Sequence, residues 1–458
     1  MNEEESLFRE QLAVARTYPD TLLHQNKRRA VNQAWREHYL ANKVRFFAKL
    51  PSNVDFPLVI IDFGETCPPG EKATLHIVRG LAGLRKSLSW PDPSRAAAEK
   101  PAGLVRDPTL RIILLERYSP TSLRLNLSEE SLLEILTYHQ VPTCFLSLLS
   151  DGAQSWDFSS SVRLADLRAS TNLTGAQGPS MACLGRSGRH IQLCLSLSSI
   201  RQYPVHALPR GVDRGAWRWQ THSAVMYLHF DAAEGSAVWL LVSPRGYHPV
   251  KGEGMQNELW NAIKEYMDGG LGEVVSLDSP GRLRISLKGL LAVAEWAVGE
   301  TSLQLQDMDM RLSDLTRPYL APIDDMAADE PQESVHERDL RRMAFLMERR
   351  IESATNVENN IRALRRLRAF FVGEVAETLA RLDVRGMQAH IDEFEHKLSR
   401  VIENLEDLAD RAQALERVTK SREEYVSLAQ LHRSVRGQQQ LSIPNRYNGC
   451  KRIIRIDR

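Results

Sequence analysis

The chain has 458 residues, 43% of them apolar and 26% charged, enough for two or three domains around at least one large core. Its 59 basic and 58 acidic residues leave a net charge of +1, which gives no electrostatic case for nucleic-acid binding. Cys67, Cys144, Cys183, Cys194 and Cys450 are too sparse and irregular for a disulfide framework, and the acidic start MNEEESLFREQ carries no secretory signal, so the chain reads as cytoplasmic.

In chain order, residues 1–50 are rich in helix formers, and Ala30–Phe47 has apolar residues at mixed spacings of 3 and 4. Strand-like runs follow at Phe56–Phe63, Leu110–Glu116, His190–Leu197, Ala224–Phe230 and Ser236–Ser243, the last two flanking DAAEG as a hairpin. Between them Ser128–His139 reads as a helix with a good cap at Ser128 and two acids in its first turn. Gly254–Asp268 reads as another helix, whereas Trp90–Arg106 and Ser159–Ser180 have the composition of loops. Leu287–Arg317 reads as one long helix leading into an acidic linker at 321–335. No window reaches the roughly 18–20 apolar residues of a membrane-spanning helix.

Beyond the linker the chain changes character. No proline occurs from Gln332 to Ile443, and proline costs about 3 kcal/mol inside a helix. Ile391, Phe394, Leu398, Val401, Leu405, Leu408, Ala412 and Leu415 alternate at spacings of 3 and 4, a heptad stripe with charged residues between. A looser stripe runs from Leu340 to Leu382, and Gly386 in DVRGMQ interrupts the two as either a hairpin turn or a kink. The hairpin is favoured, because a local partner buries both stripes. The domain order predicted is N-terminal helices (1–50), an α/β domain (51–320), the linker (321–335), a helical coiled-coil stalk (336–435) and a polar, basic, disordered tail (436–458). The fold class is α+β.

CLGRSGRHIQLCLSL (Cys183–Leu197) looks most like a site, yet each specific chemistry fails on spacing. It lacks the lysine and spacing of a phosphate loop, and Gly188 directly follows Ser187, so it is no nucleophile elbow. Cys183 and Cys194 stand eleven apart with no second pair, unlike zinc ligands. A glycine turn entering a strand accounts for it. Asp62 and Gly64 in VIIDFGE mimic a kinase magnesium motif without the other kinase elements and read as the exit of a buried strand. His390 and His396, six apart on a helix, do not share a face, and His139 sits at a helix end before Pro142 as a cap or a ligand. Asp307, Asp309 and Asp314 form either a solvated acidic face or a divalent-ion site. No catalytic or cofactor-binding residue is assigned, and no metal ligand is identified.

Three stretches, LTYHQVPTCFLSLLS (Leu136–Ser150), CLGRSGRHIQLCLSL and WRWQTHSAVMYLHFDAAEGSAVWLLV (Trp217–Val242), occur in an order that resembles the cytosolic domain of fungal CorA-like magnesium transporters. The helix ending near Arg317 and the segment Arg341–Phe371 are similar to the family's stalk. The resemblance implies an α/β/α domain with a mixed sheet feeding helices that lead, in the family, to two membrane helices with a Gly-Met-Asn signature. It also implies a pentamer conducting magnesium, with magnesium as a regulatory ion. GMQN (Gly254–Asn257) is not that signature. The expectation is therefore the cytosolic regulatory portion of a transporter without its pore in this chain, reaching a membrane only through missing segments or a full-length sibling. The alternative is a soluble coiled-coil scaffold that binds itself or a partner helix through the stalk.

Overall fold

The computed structural model of the chain describes residues 3–23, 37, 39, 40, 47, 58–64, 73–88, 104–117, 124–151, 165–174, 180–202, 219–244, 258–267, 270–320, 337–382 and 385–450. It forms two compact units, one of residues 1–300 with 356–406 and the other of 301–355 with 407–458.

The first unit is built on a seven-stranded sheet: β1 Leu58–Phe63, β2 Thr74–Val78, β3 Leu110–Arg117, β4 Asp166–Asn172, β5 His190–Gln202, β6 Trp219–Asp231 and β7 Ala237–Pro244. The strand order is β2-β1-β3-β7-β6-β5-β4, and every pairing is antiparallel except β3 with β7. Each apolar run expected to be a strand is one. β1 is buried along its whole length, which needs cover on both faces. On one face Leu58, Ile60, Ile113, Tyr227, Leu240 and Cys194 join one core with residues of α1 Glu3–Ala13, α2 Gly80–Ser87, α3 Glu129–Tyr138 and α4 Cys144–Asp151. On the other face lie α5 Glu258–Met267 and α6 Ser279–Val298, whose Gly289 approaches the buried Trp239 ring. The architecture is α/β/α around a mixed sheet.

Two strands lie where no strand is predicted. β4 falls inside Ser159–Ser180, whose composition reads as a loop, and β2 is five residues long. Both are sheet edges, so each has one strand partner and carries polar or exposed residues that blur the period-two signal. The single helix predicted over Leu287–Arg317 is two helices, α6 and α7 Thr301–Leu320. The break is Gly299, at φ 53 and ψ −144, a conformation that only glycine adopts without strain. A Cβ there would lie 2.4 Å from Ser199 Oγ, and the Glu300 amide bonds the Ile200 carbonyl at 3.0 Å.

α8 Glu337–Ala369 continues through a six-residue π-helical segment, Phe370–Val375, into α9 Ala376–Arg381, and α10 Arg385–Cys450 follows. The Leu382 amide closes the turn onto Thr378 and Leu379 carbonyls. Arg365–Glu406 (2.7 Å), Arg368–Ser399 (3.2 Å) and Phe371–Phe394 (5.1 Å between ring centres) pair the two arms antiparallel, so the interruption at Gly386 is a hairpin. Asn360 fastens this hairpin to the sheet: its amide accepts from the Ser198 N–H at 3.0 Å and donates to the Ser198 carbonyl at 2.7 Å, replacing the ladder beyond the end of β4.

The second unit is helical. Leu305, Met308, Leu312, Met343, Leu346 and Ala412 are buried in it, and Gln304–Ser353 (2.7 Å), Arg350–Glu416 (3.0 Å) and Arg422–Ser313 (3.0 Å) tie its helices together. α10 runs through Cys450, into the segment 436–458 expected as a polar tail. The linker 321–335, Cys67 and residues 451–458 lie outside the described residues.

Candidate functional site

The turn Gly185–Arg186–Ser187–Gly188 enters β5 and is conformationally defined by its glycines, at φ 71 and φ 80. Between them Arg186 turns inward. Its Nε donates to Asp107 at 2.7 Å, its Nη1 to the Tyr138 carbonyl at 2.8 Å, and its guanidinium lies 5.1 Å from the Tyr138 ring centre. Asp107 also accepts from the Tyr138 hydroxyl at 3.0 Å and faces Arg111 Nη1 at 3.6 Å. Arg111 in turn grips Asp62 with two bonds of 2.8 Å, and His76 Nε2 stands 3.6 Å from the same carboxylate. The result is a buried ladder of alternating charge, Arg186–Asp107–Arg111–Asp62, crossing the end of the sheet.

Burial alone would disfavour charge on Arg111 and Arg186. Asp62, the strongest partner of Arg111, and Asp107, that of Arg186, reverse this and push both pKa values above the ordinary range. Tyr138 is held neutral by burial first and by Asp107 second. His139 is the opposite case: burial, then Arg111, Arg186 and His229, drive its pKa well below the usual imidazole range. Among the described residues neither of its ring nitrogens has a hydrogen-bond partner. Ser187 completes the corner by donating from its amide (2.6 Å) and hydroxyl (2.7 Å) to Asp231, which also accepts from the Ala233 and Glu234 amides in the β6–β7 turn.

Beside the ladder opens a cleft of about 560 Å³, lined among others by Asp62, His76, Arg79, Lys86, Arg106 and Arg111. Arg79, Lys86, Arg106 and Arg111 line it together with the Asp62 carboxylate. Two of the four are already engaged, Arg111 by Asp62 and Arg106 by Glu234.

The structure places the sequence candidates as follows. His190 stacks on His229 at 5.2 Å, and His139 caps α3. Asp62 ends β1 in its pair with Arg111, so the DFG-like string is a strand exit. Asp307 pairs with Arg311 at 2.9 Å, while Asp309 and Asp314 are exposed on the same helix. His390 is half-buried and His396 exposed. Among the described residues no group of three or more His, Cys, Asp or Glu side chains could hold a metal ion, and no helix is long and apolar enough to cross a membrane. The heptad stripe is turned inward: Ile391, Phe394, Leu398, Val401 and Leu405 are each at most 2% exposed, so they present no open seam. Sequence reasoning missed the ladder. The available signal was an arginine inside the apolar run LRIILLER, since a buried strand tolerates Arg111 only when a carboxylate waits for it.

A family model of CorA-like transporters matches residues 10–320, which include all seven strands. The chain belongs to the CorA-like transporter family. The helical hairpin beyond residue 337 lies outside the matched region of this CorA-like chain. Among solved structures, the full-length CmaX protein is similar over 89% of this chain and 88% of that one, at 11% identity and a TM-score of 0.31. No curated protein matches it.

Proposed function

We propose that this chain is the cytosolic regulatory portion of a magnesium transporter of the fungal CorA-like type, acting as a homo-oligomer through its helical part, with magnesium as its regulatory ion. The observation that carries the reading is the family match across the entire sheet domain. Supporting it, the GRSGRH turn locks α3, β3 and β5 together through Arg186, and its Ser187 hydroxyl is engaged as a donor to Asp231 in the same corner. The domain order goes with this proposal: N-terminal helices 1–50, transporter domain 51–320, linker 321–335, stalk 336–435 and tail 436–458. Transport itself would belong to membrane helices on a longer product of the same gene or on a partner subunit.

Light scattering of the purified chain during magnesium titration tests the reading. Magnesium should convert monomer into a discrete oligomer, five-fold by the family's pattern, with calcium or potassium at equal ionic strength much less effective. A monomer indifferent to magnesium would overturn the regulatory role. A transcript reading past Arg433 into two apolar segments of roughly 20 residues would supply the pore.

A further inference from the structure

Two thiols meet at the interface between α4 and the sheet. Cys144 is the first residue of α4, half-buried, and its Sγ donates to Sγ of Cys194 at 3.7 Å. Cys194 sits in the middle of β5 and is fully buried. The two residues are 50 apart in sequence, so their meeting is a product of the fold. Tyr18 and Tyr227 complete the surroundings, with the Tyr18 hydroxyl bonded to the Val141 carbonyl at 2.8 Å and Tyr227 to the His139 carbonyl at 3.3 Å.

We infer that Cys144 and Cys194 form an oxidisable dithiol that closes to a disulfide on exposure to hydrogen peroxide, stapling α4 to the centre of the sheet. The asymmetry of burial assigns the roles. The peroxide meets Cys144, whose thiolate attacks an oxygen and breaks the O–O bond. That sulfur loses two electrons and becomes a sulfenic acid, while the departing hydroxide takes a proton to give water. The Cys194 sulfur then attacks the sulfenic sulfur: the S–S bond forms, the S–O bond breaks, and the leaving hydroxide takes the Cys194 proton as a second water. Two thiols and one peroxide thus give one disulfide and two waters. A dithiol reductant reverses the change and is itself oxidised. A disulfide needs the sulfurs at about 2.05 Å, so closure requires them to approach by about 1.7 Å. Burial, and then the neighbouring Cys144, push the Cys194 thiol up, so it meets the sulfenic sulfur in its protonated form.

The consequence follows from where α4 begins. The corner His139–Thr143 connects α3 to α4, and it holds Tyr18 through Val141 and the Leu23 amide through Gln140. Oxidation pins that corner, and with it the docking of the N-terminal segment, to the sheet.

The test uses the full chain, reduced, exposed to hydrogen peroxide, alkylated and digested without reductant for mass spectrometry. The expected product is a peptide joining Cys144 to Cys194 with the loss of two hydrogens, and a fall in titratable thiols from five to three. Dithiothreitol should restore all five, and the oxidised chain should melt higher than the reduced one. In Cys194→Ala, checked for a native melting transition, a sulfenic acid should accumulate at Cys144 and be trapped by dimedone. Cross-links dominated by Cys67, Cys183 or Cys450 would overturn the inference. So would conversion of Cys144 to sulfinic acid without a cross-link, or unreactive thiols in a folded chain whose urea-unfolded form reacts readily.

Discussion

Replacing Gly289 with alanine probes the contact on which the helix–sheet layering rests. An ideal Cβ at Gly289 would lie 2.4 Å from Trp239 Cη2 and 2.9 Å from its Cζ2 and Cζ3. Ordinary carbon–carbon contacts begin at about 3.5 Å, so the new methyl would overlap the ring by roughly 1 Å. Trp239 is 0% exposed in the central strand β7 and cannot swing aside. Overpacking of this kind costs about 3 kcal/mol, the upper part of its usual range. Alanine's helix preference over glycine returns about 1 kcal/mol. The net loss is about 2 kcal/mol, or roughly 2–3 °C in melting temperature for a unit of this size. Gly373→Ala is the control: nothing lies within 4 Å of where its new methyl would sit, so it should gain up to about 1 kcal/mol from propensity alone. Thermal melts followed by circular dichroism at neutral pH give both numbers. If Gly289→Ala melts at or above the parent, alongside Gly373→Ala, then α6 does not lie against Trp239 and the helix does not layer on the sheet there.

Asp107→Ala should destabilise the first unit by about 3–5 kcal/mol, because it strips a buried carboxylate from Arg186 and leaves that guanidinium uncompensated; urea unfolding that shifts by under about 1 kcal/mol would contradict the ladder. Acid should also weaken the fold through His139. Its folded pKa lies well below its unfolded value of about 6.5, so above that pH both states are neutral and pH has no effect. Below it the unfolded chain takes up a proton that the folded chain refuses, and stability falls by about 1.4 kcal/mol per pH unit. Comparing the parent with His139→Asn between pH 7 and 5 should show a slope shallower by about that amount in the variant; identical slopes would remove His139 as the cause.

How much of this was readable in advance depends on how local each signal was. Leu110–Glu116, Ala224–Phe230 and Ser236–Ser243 are continuous apolar runs in the middle of the sheet, and burial on both faces writes itself into composition. Ser128 caps its helix by accepting from the Ser131 amide, as its position before two glutamates predicts. β4, with the sequence DLRASTN, carries no such signal; it is a strand because β5 offers a partner along its whole length. The break at Gly299 is similar, since glycine is tolerated inside helices and only the proximity of Ser199 and Ile200 makes the turn there necessary.

The candidate site divides along the same line. Residue identity alone ruled out a phosphate loop and a nucleophile elbow in CLGRSGRHIQLCLSL, because those chemistries need fixed local spacing. What Arg186 does could not be read from its neighbours, since Asp107 lies 79 residues away and Tyr138 lies 48 away. The sequence by itself determined the α+β class, the helical C-terminal half and the family resemblance, all of which rest on short-range pattern and order along the chain. Only the tertiary structure decided that the stalk folds back as a hairpin, that the heptad stripe faces inward, and which charges and thiols meet. Those depend on contacts between residues tens of positions apart, where the free energy of burial rather than local propensity makes the choice.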